Sequence, residues 1–210
     1  MADNKLERRF TPHATVAVEK RDDGSQVIAG YGAVFYDPAD PGTEYQLYSD
    51  MVERVALTAF DRALAERQDV RGLFNHDANM VLGRTAASTM RIGKDQRGLR
   101  YEIDQPDTQI GRDVAISIGR GDVTGSSFSF IVRGQSFKDR DDGVTIRTIE
   151  DVDLFDAGPV TFPAYEATTT GVRSGDAADA LAARDAWRAG VAAKQREADA
   201  VAVRARMIDL

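Results

Sequence analysis

Two histidines, His13 and His76, and no cysteine narrow the chemistry open to this chain. Without cysteine there is no disulfide framework, no thiolate zinc site and no thiol nucleophile. A base that works near neutral pH then has to be one of two imidazoles. His76 lies in Gly72-Leu73-Phe74-Asn75-His76-Asp77, where an apolar run gives way to a turn. Its ring therefore falls at a surface or cleft edge, where a base can meet a substrate. A merely structural or exposed histidine would look the same. One imidazole beside Asp77 lacks the further nitrogen or sulfur ligands of common zinc patterns, so the spacing implies no metal. His13 follows Pro12 in a charged N-terminal stretch and reads as structural or solvated.

A nucleophile partnered with histidine must be Ser or Thr here. Gly125-Ser126-Ser127-Phe128-Ser129-Phe130 is the candidate segment. On a strand, side chains alternate, so Ser127 and Ser129 share one face while Ser126, Phe128 and Phe130 share the other. The aromatic face belongs to a core, leaving two hydroxyls opposite it; the alternative reading is the polar outer face of a sheet. The acids that could orient a histidine are Asp151, Asp153 and Asp156. A hairpin turn centred between Asp141 and Asp142 places Asp156 opposite Ser127 and Asp153 about 10 Å along the strand. Parity puts Asp156 on one face with Val152 and Leu154, where a carboxylate needs a partner.

Positioning these groups requires a sheet. The runs Thr15 to Val18 and Gln26 to Tyr36 flank Asp22-Asp23-Gly24-Ser25 and read as a hairpin. Short β-type runs follow at Val70 to Asn75, Val81 to Arg84, Thr89 to Ile92 and Leu99 to Ile103. Val123 to Phe137 and Val144 to Thr161 are long strands joined by a charged turn that ends in Gly143, and they predict an antiparallel hairpin. Two helices interrupt this pattern. One places Leu57, Phe60 and Leu64 on a single face with Thr58 as N-cap. The other opens at Pro106-Asp107 with Asp107 as cap, carries Ile110, Val114 and Ile118, and stops at Gly119 and Gly121. The expected class is a β-rich α+β domain whose sheet closes into a barrel flanked by a few helices, since closure removes exposed edges.

The 210 residues, 42% of them hydrophobic, suffice for one core and an appendage. Residues 1–12 read as a loose N-terminal arm, 13–171 as the ordered domain and 172–210 as a helical tail. In that tail 13 of 39 residues are alanine, and its apolar stripe (Ala180, Ala183, Trp187, Val191, Ala198, Val201, Ala205, Ile208) is thin. Such a helix is stable against a partner or packed on its own domain. The 27 basic against 34 acidic residues give a net charge of −7, so no chain-wide basic field favours a phosphate backbone, and direct nucleic-acid binding is not expected. No apolar run approaches a membrane span, and no apolar core of a signal peptide follows the N-terminus.

Five blocks of sequence resemble the prohead proteases of tailed bacteriophages, capsid maturation serine proteases related to herpesvirus assemblin. They are Ile28-Ala29-Gly30-Tyr31-Gly32-Ala33-Val34-Phe35, Val70 to Asp77, Val81-Leu82-Gly83-Arg84-Thr85, Gly119 to Phe130, and Pro159-Val160-Thr161-Phe162-Pro163-Ala164-Tyr165. The blocks occur in the family's order. The resemblance implies an assemblin-like closed barrel and a Ser-His-Asp triad of Ser127, His76 and Asp156. It implies a serine endopeptidase that cleaves scaffold or a capsid-protein extension inside the prohead, in the host cytoplasm, with processing of its own tail and association as a homodimer. No cofactor and no metal enter this chemistry. Two positions depart from the family's motif: Ser129 stands where the second glycine is expected, and Asp156 where a glutamate is usual. No sequence signature marks an oxyanion hole. The competing function is a non-enzymatic capsid-assembly module with a degenerate barrel; an esterase would share the triad but not the five blocks.

Overall fold

The computed structural model describes residues 5–11, 16–161 and 174–208. His13 and the residues 162–165 that end the last resembling block lie outside them. The chain is a β-rich α+β fold with few helices and a C-terminal helix. Its first sheet is built on two long strands, β10 (Gly125–Asp139) and β11 (Thr145–Val160), which pair antiparallel as their alternating pattern predicts. β1 (Glu7–Thr11) pairs antiparallel with β10. Beyond β11 the sheet divides. β5 (Met51–Val55) runs parallel to residues 145–149 and carries β4 (Tyr45–Tyr48), while β6 (Arg71–Leu73) meets β11 at Asp156 and carries β7 (Val81–Arg84).

The second sheet has the order β2 (Ala17–Lys20), β3 (Gln26–Val34), β9 (Gly98–Asp104), β8 (Met90–Lys94), all antiparallel. The two sheets share one core, with Ile28, Val34, Leu99, Tyr101 and Ile103 from the second against Phe128, Phe130, Val152 and Leu154 from the first. Among the described residues neither sheet closes into the expected barrel. Pairing in the second sheet ends at β2 and β8, and burial of one face of each sheet against the other takes the place of closure.

Helix α1 (Asp61–Ala65) is a single short turn whose cap position is Phe60 with no side-chain hydrogen bond, so Thr58 is not the cap that the spacing suggests. Helix α2 (Gln109–Arg120) is capped by Thr108, whose hydroxyl accepts from the Gly111 N–H at 3.2 Å, one residue later than Asp107. It buries Val114 and Ile118 and ends at Gly121, whose φ of +82° is the left-handed geometry glycine adopts freely.

The N-terminal arm is not loose throughout. Glu7, Arg9 and Thr11 of β1 are buried, because the two charges are neutralised by others. Glu7 and Arg9 reach across β10 to Glu53 of β5 and Arg147 of β11, forming a quartet of two acids and two guanidinium groups. Arg9 Nε donates to Glu53 Oε1 at 2.6 Å, and Arg147 donates to both Glu7 and Glu53 at 2.8 Å. Burial alone would raise the Glu7 carboxyl, but the Arg147 hydrogen bonds and the charges of Arg9 and Arg147 outweigh it and hold the group below its ordinary value. Burial would likewise lower Arg9, and Glu53 and Glu7 reverse that.

Among the side chains described, helix α3 (Ser174–Ile208) docks through Ala180, Arg184, Trp187 and Arg188. Ala180 packs into a small cluster with Leu47 and Met51, Trp187 stacks on Phe137 at 5.8 Å, and Arg184 Nη1 donates to Asp50 at 2.8 Å. From Ala189 to Val201 every residue is exposed, Val191 and Val201 of the apolar stripe among them. The side chains of Ala205 and Ile208 lie outside the described residues. A chain ending at Gly190 should therefore lose less than about 0.5 kcal/mol of stability, as surface changes do. Ending it at Ser174 uncovers Leu47 and Met51 and should cost about 3 kcal/mol. Urea denaturation of the two truncations checks both values.

Candidate active site

His76 is delivered by the turn that follows β6. Asn75 and His76 both adopt left-handed backbone, φ +56° and +58°, a conformation that costs a non-glycine residue about 1 kcal/mol or more. Asn75 holds the turn in place. Its backbone N–H donates to the Pro159 carbonyl at 3.1 Å, its side chain accepts from the Thr161 N–H at 2.8 Å, and its amide donates to Thr161 Oγ1 at 2.9 Å. Gly158 makes this approach feasible, since a Cβ there would lie 2.2 Å from the Leu73 carbonyl oxygen. The strain is thus fixed against the end of β11, and it turns the imidazole over the sheet.

On β10 the side chains divide as their alternation predicts. Phe128 and Phe130 enter the core, and Ser126 faces it to share a 2.7 Å hydrogen bond with the Tyr101 hydroxyl. Ser127 and Ser129 lie on the other face, yet neither is exposed, so this is not a solvated sheet surface. Phe10 of β1 stands opposite Ser127 in the ladder, and its ring meets His76 edge-on at 6.2 Å.

The expected hairpin register does not hold. Gly158, not Asp156, lies opposite Ser127, and Asp156 lies opposite Ser129. The turn is shifted by one residue, and a β-bulge between Ser129 and Phe130 leaves Phe155 as an extra residue on β11. The bulge also overturns the parity argument. Leu154 pairs with Phe130 on the core side, Phe155 is exposed, and Asp156 emerges on the serine face. The two positions at which the sequence departs from the resembling motif, Ser129 and Asp156, are direct partners across the ladder.

His76 bridges this arrangement. Its Nδ1 lies 2.5 Å from Asp156 Oδ1 and its Nε2 lies 2.6 Å from Ser127 Oγ. With the proton on Nδ1 shared toward the carboxylate, Nε2 is an acceptor for the serine hydroxyl. Ser127 Oγ also donates to the Arg9 carbonyl at 2.9 Å, so that carbonyl competes with the imidazole for a single proton. The second carboxylate oxygen of Asp156 accepts from the Ser129 hydroxyl. Asp151 and Asp153 are held elsewhere by Arg62 at 2.9 and 2.7 Å. Burial would raise the Asp153 carboxyl, but hydrogen bonds from Arg133, Arg62 and Gln68 bring it down to about 2. Sequence reasoning missed Arg9 and Phe10 at the site because the charges around them read as an unstructured arm. Among the described residues there is no group of acids and histidines able to hold a metal ion.

A hydroxyl, an imidazole and a carboxylate in this order form the relay that serine-nucleophile hydrolases use for acyl transfer. The chain matches the caudovirus prohead serine proteases over residues 14–181 and belongs to that family. It is a serine peptidase of phage capsid maturation. Among solved structures the chain is similar to the bacteriophage T4 capsid assembly protease gp21, with 13% sequence identity and a TM-score of 0.40 over 75% of this chain and 99% of that one. No curated protein matches the chain. None of the described helices is long and apolar enough to cross a membrane.

Proposed function

We propose that the protein is an endopeptidase with Ser127 as nucleophile, His76 as general base and Asp156 as the group that orients it. Its substrate is the capsid protein or scaffold, cut within the assembling prohead in the host cytoplasm. The observation that carries this reading is the single imidazole placed within 2.6 Å of both a serine hydroxyl and a carboxylate. His76 takes the proton from Ser127 as Oγ attacks the peptide carbonyl, and Asp156 stabilises the imidazolium that results. His76 then protonates the leaving amine, and a water molecule repeats the sequence to release the acyl group. The stretch of α3 from Ala189 to Val201 is open to the enzyme's own cleavage, since every residue in it is exposed.

One observation favours a non-enzymatic assembly module: Ser127 has no exposed surface and donates to the Arg9 carbonyl. A substrate can reach Oγ only once part of its cover shifts. Incubation with a fluorophosphonate followed by peptide mapping separates the two readings. The proposal predicts an adduct on Ser127 that is lost in His76→Ala. A folded protein that takes up no label, under conditions that label a control serine protease, would support the module instead.

A further inference from the structure

Asp156 faces a problem that His76 alone does not solve. Its carboxylate is 6% exposed, and one oxygen is satisfied by the imidazole. A buried carboxylate oxygen left without a donor is costly and free to rotate away from its partner. The Ser129 hydroxyl supplies that donor. It lies directly across the ladder from Asp156, has no exposed surface, and donates to Oδ2 while Oδ1 faces His76. The placement depends on the bulge at Phe155, which brings Asp156 round to the serine face. Without it, the register that pairs Leu154 with Phe130 would continue and set a core-facing carboxylate opposite Phe128 rather than a hydroxyl.

We propose that Ser129 is a positioning residue of the active site, acting through Asp156 to hold the carboxylate in the plane and rotamer that His76 requires. This inference rests on the reading of Ser127, His76 and Asp156 given above and adds a fourth member to it. The chain of hydrogen bonds then runs Ser129 to Asp156 to His76 to Ser127, with each carboxylate oxygen assigned to one partner. A hydrogen bond to an ionised acceptor is among the stronger kinds, and supporting bonds of this sort typically alter activity by about ten- to a hundredfold. Ser129 touches neither substrate nor the reacting atoms, so its effect should appear in the reactivity of Ser127 and not in substrate affinity.

The test measures the second-order rate of fluorophosphonate labelling at Ser127 as a function of pH in wild type, Ser129→Ala, Ser129→Thr, Asp156→Asn and the Ser129→Ala/Asp156→Asn double variant. Ser129→Ala should label about ten- to a hundredfold more slowly, with the acid side of its pH profile displaced, while Ser129→Thr, which keeps the hydroxyl, recovers most of the rate. In the Asp156→Asn background the further loss should be less than about threefold, because the carboxylate through which Ser129 acts is gone. A wild-type labelling rate in Ser129→Ala, with or without a lower melting temperature, would reduce Ser129 to a structural role and overturn the proposal. So would a full multiplicative loss in the double variant. Label on Ser129 rather than Ser127 in wild type would overturn both this inference and the assignment of the nucleophile.

Discussion

Asp156→Asn is expected to keep the fold and lose roughly a hundredfold to ten-thousandfold in turnover, the range seen when a triad carboxylate is replaced by its amide. An asparagine of nearly the same volume leaves the bulge and the ladder intact, but it offers His76 either an N–H that opposes Nδ1–H or an uncharged oxygen. The imidazole is then free to take the other tautomer, in which Nε2 carries the proton and cannot accept one from Ser127. Asp153→Asn should leave turnover within about threefold, since Asp153 engages Arg62, Arg133 and Gln68 and not the imidazole. Assayed on the same substrate, a severe defect in Asp153→Asn with a normal Asp156→Asn would contradict the geometry.

The buried quartet carries the second large effect. Glu53→Gln removes one of the two anions that neutralise Arg9 and Arg147, all four groups being almost fully enclosed. Leaving a buried charge without its partner typically costs about 3–5 kcal/mol, far more than a surface ion pair contributes. The same cluster sets a pH dependence. Because Glu7 is held below its ordinary value in the folded chain, its contribution to stability is present above that value and disappears as the pH falls through the folded one. Stability should therefore drop on acidification below about pH 4.5, and the slope should be shallower in Glu7→Gln. Denaturant titrations between pH 3 and 7 measure both effects, and a loss below about 1 kcal/mol in Glu53→Gln would show that the quartet is not what fixes β1. The consequence reaches the proposed active site, because β1 also presents the Arg9 carbonyl to Ser127 and Phe10 to His76.

How much of this was legible follows from which signals are local. The alternation along residues 125–130 divides the serines from the phenylalanines, and that division depends only on each residue's neighbours. The apolar run before His76 and the polar turn after it likewise place that ring at the end of a strand. Register is different, since it accumulates every irregularity between the turn and the residue of interest. One residue at the turn and one at Phe155 were enough to move Asp156 from Ser127 to Ser129, and the bulge has no local signature in Leu154-Phe155-Asp156. His76 meets both Ser127 and Asp156 because its two nitrogens span two ladder positions, from the Ser127 pair to the Ser129–Asp156 pair on the same face, which no pairing rule predicts. β1 was illegible for another reason. Glu7, Arg8 and Arg9 read as a solvated arm until their long-range partners, Glu53 and Arg147, are known. Closure into a barrel is one way to remove exposed edges, and among the described residues the two facing sheets share a core instead.

Ser127 as nucleophile is tested most directly by intact-mass analysis and peptide mapping of the phage capsid protein and scaffold, co-expressed with this chain or with its Ser127→Ala variant. Ser127→Ala removes one enclosed hydroxyl and leaves no large cavity, so the variant should accumulate folded. With Ser127 as nucleophile, the wild-type chain should give a shortened capsid protein or scaffold, and Ser127→Ala only the full-length forms. Continued cleavage by folded Ser127→Ala, at the same peptide bond, would contradict it.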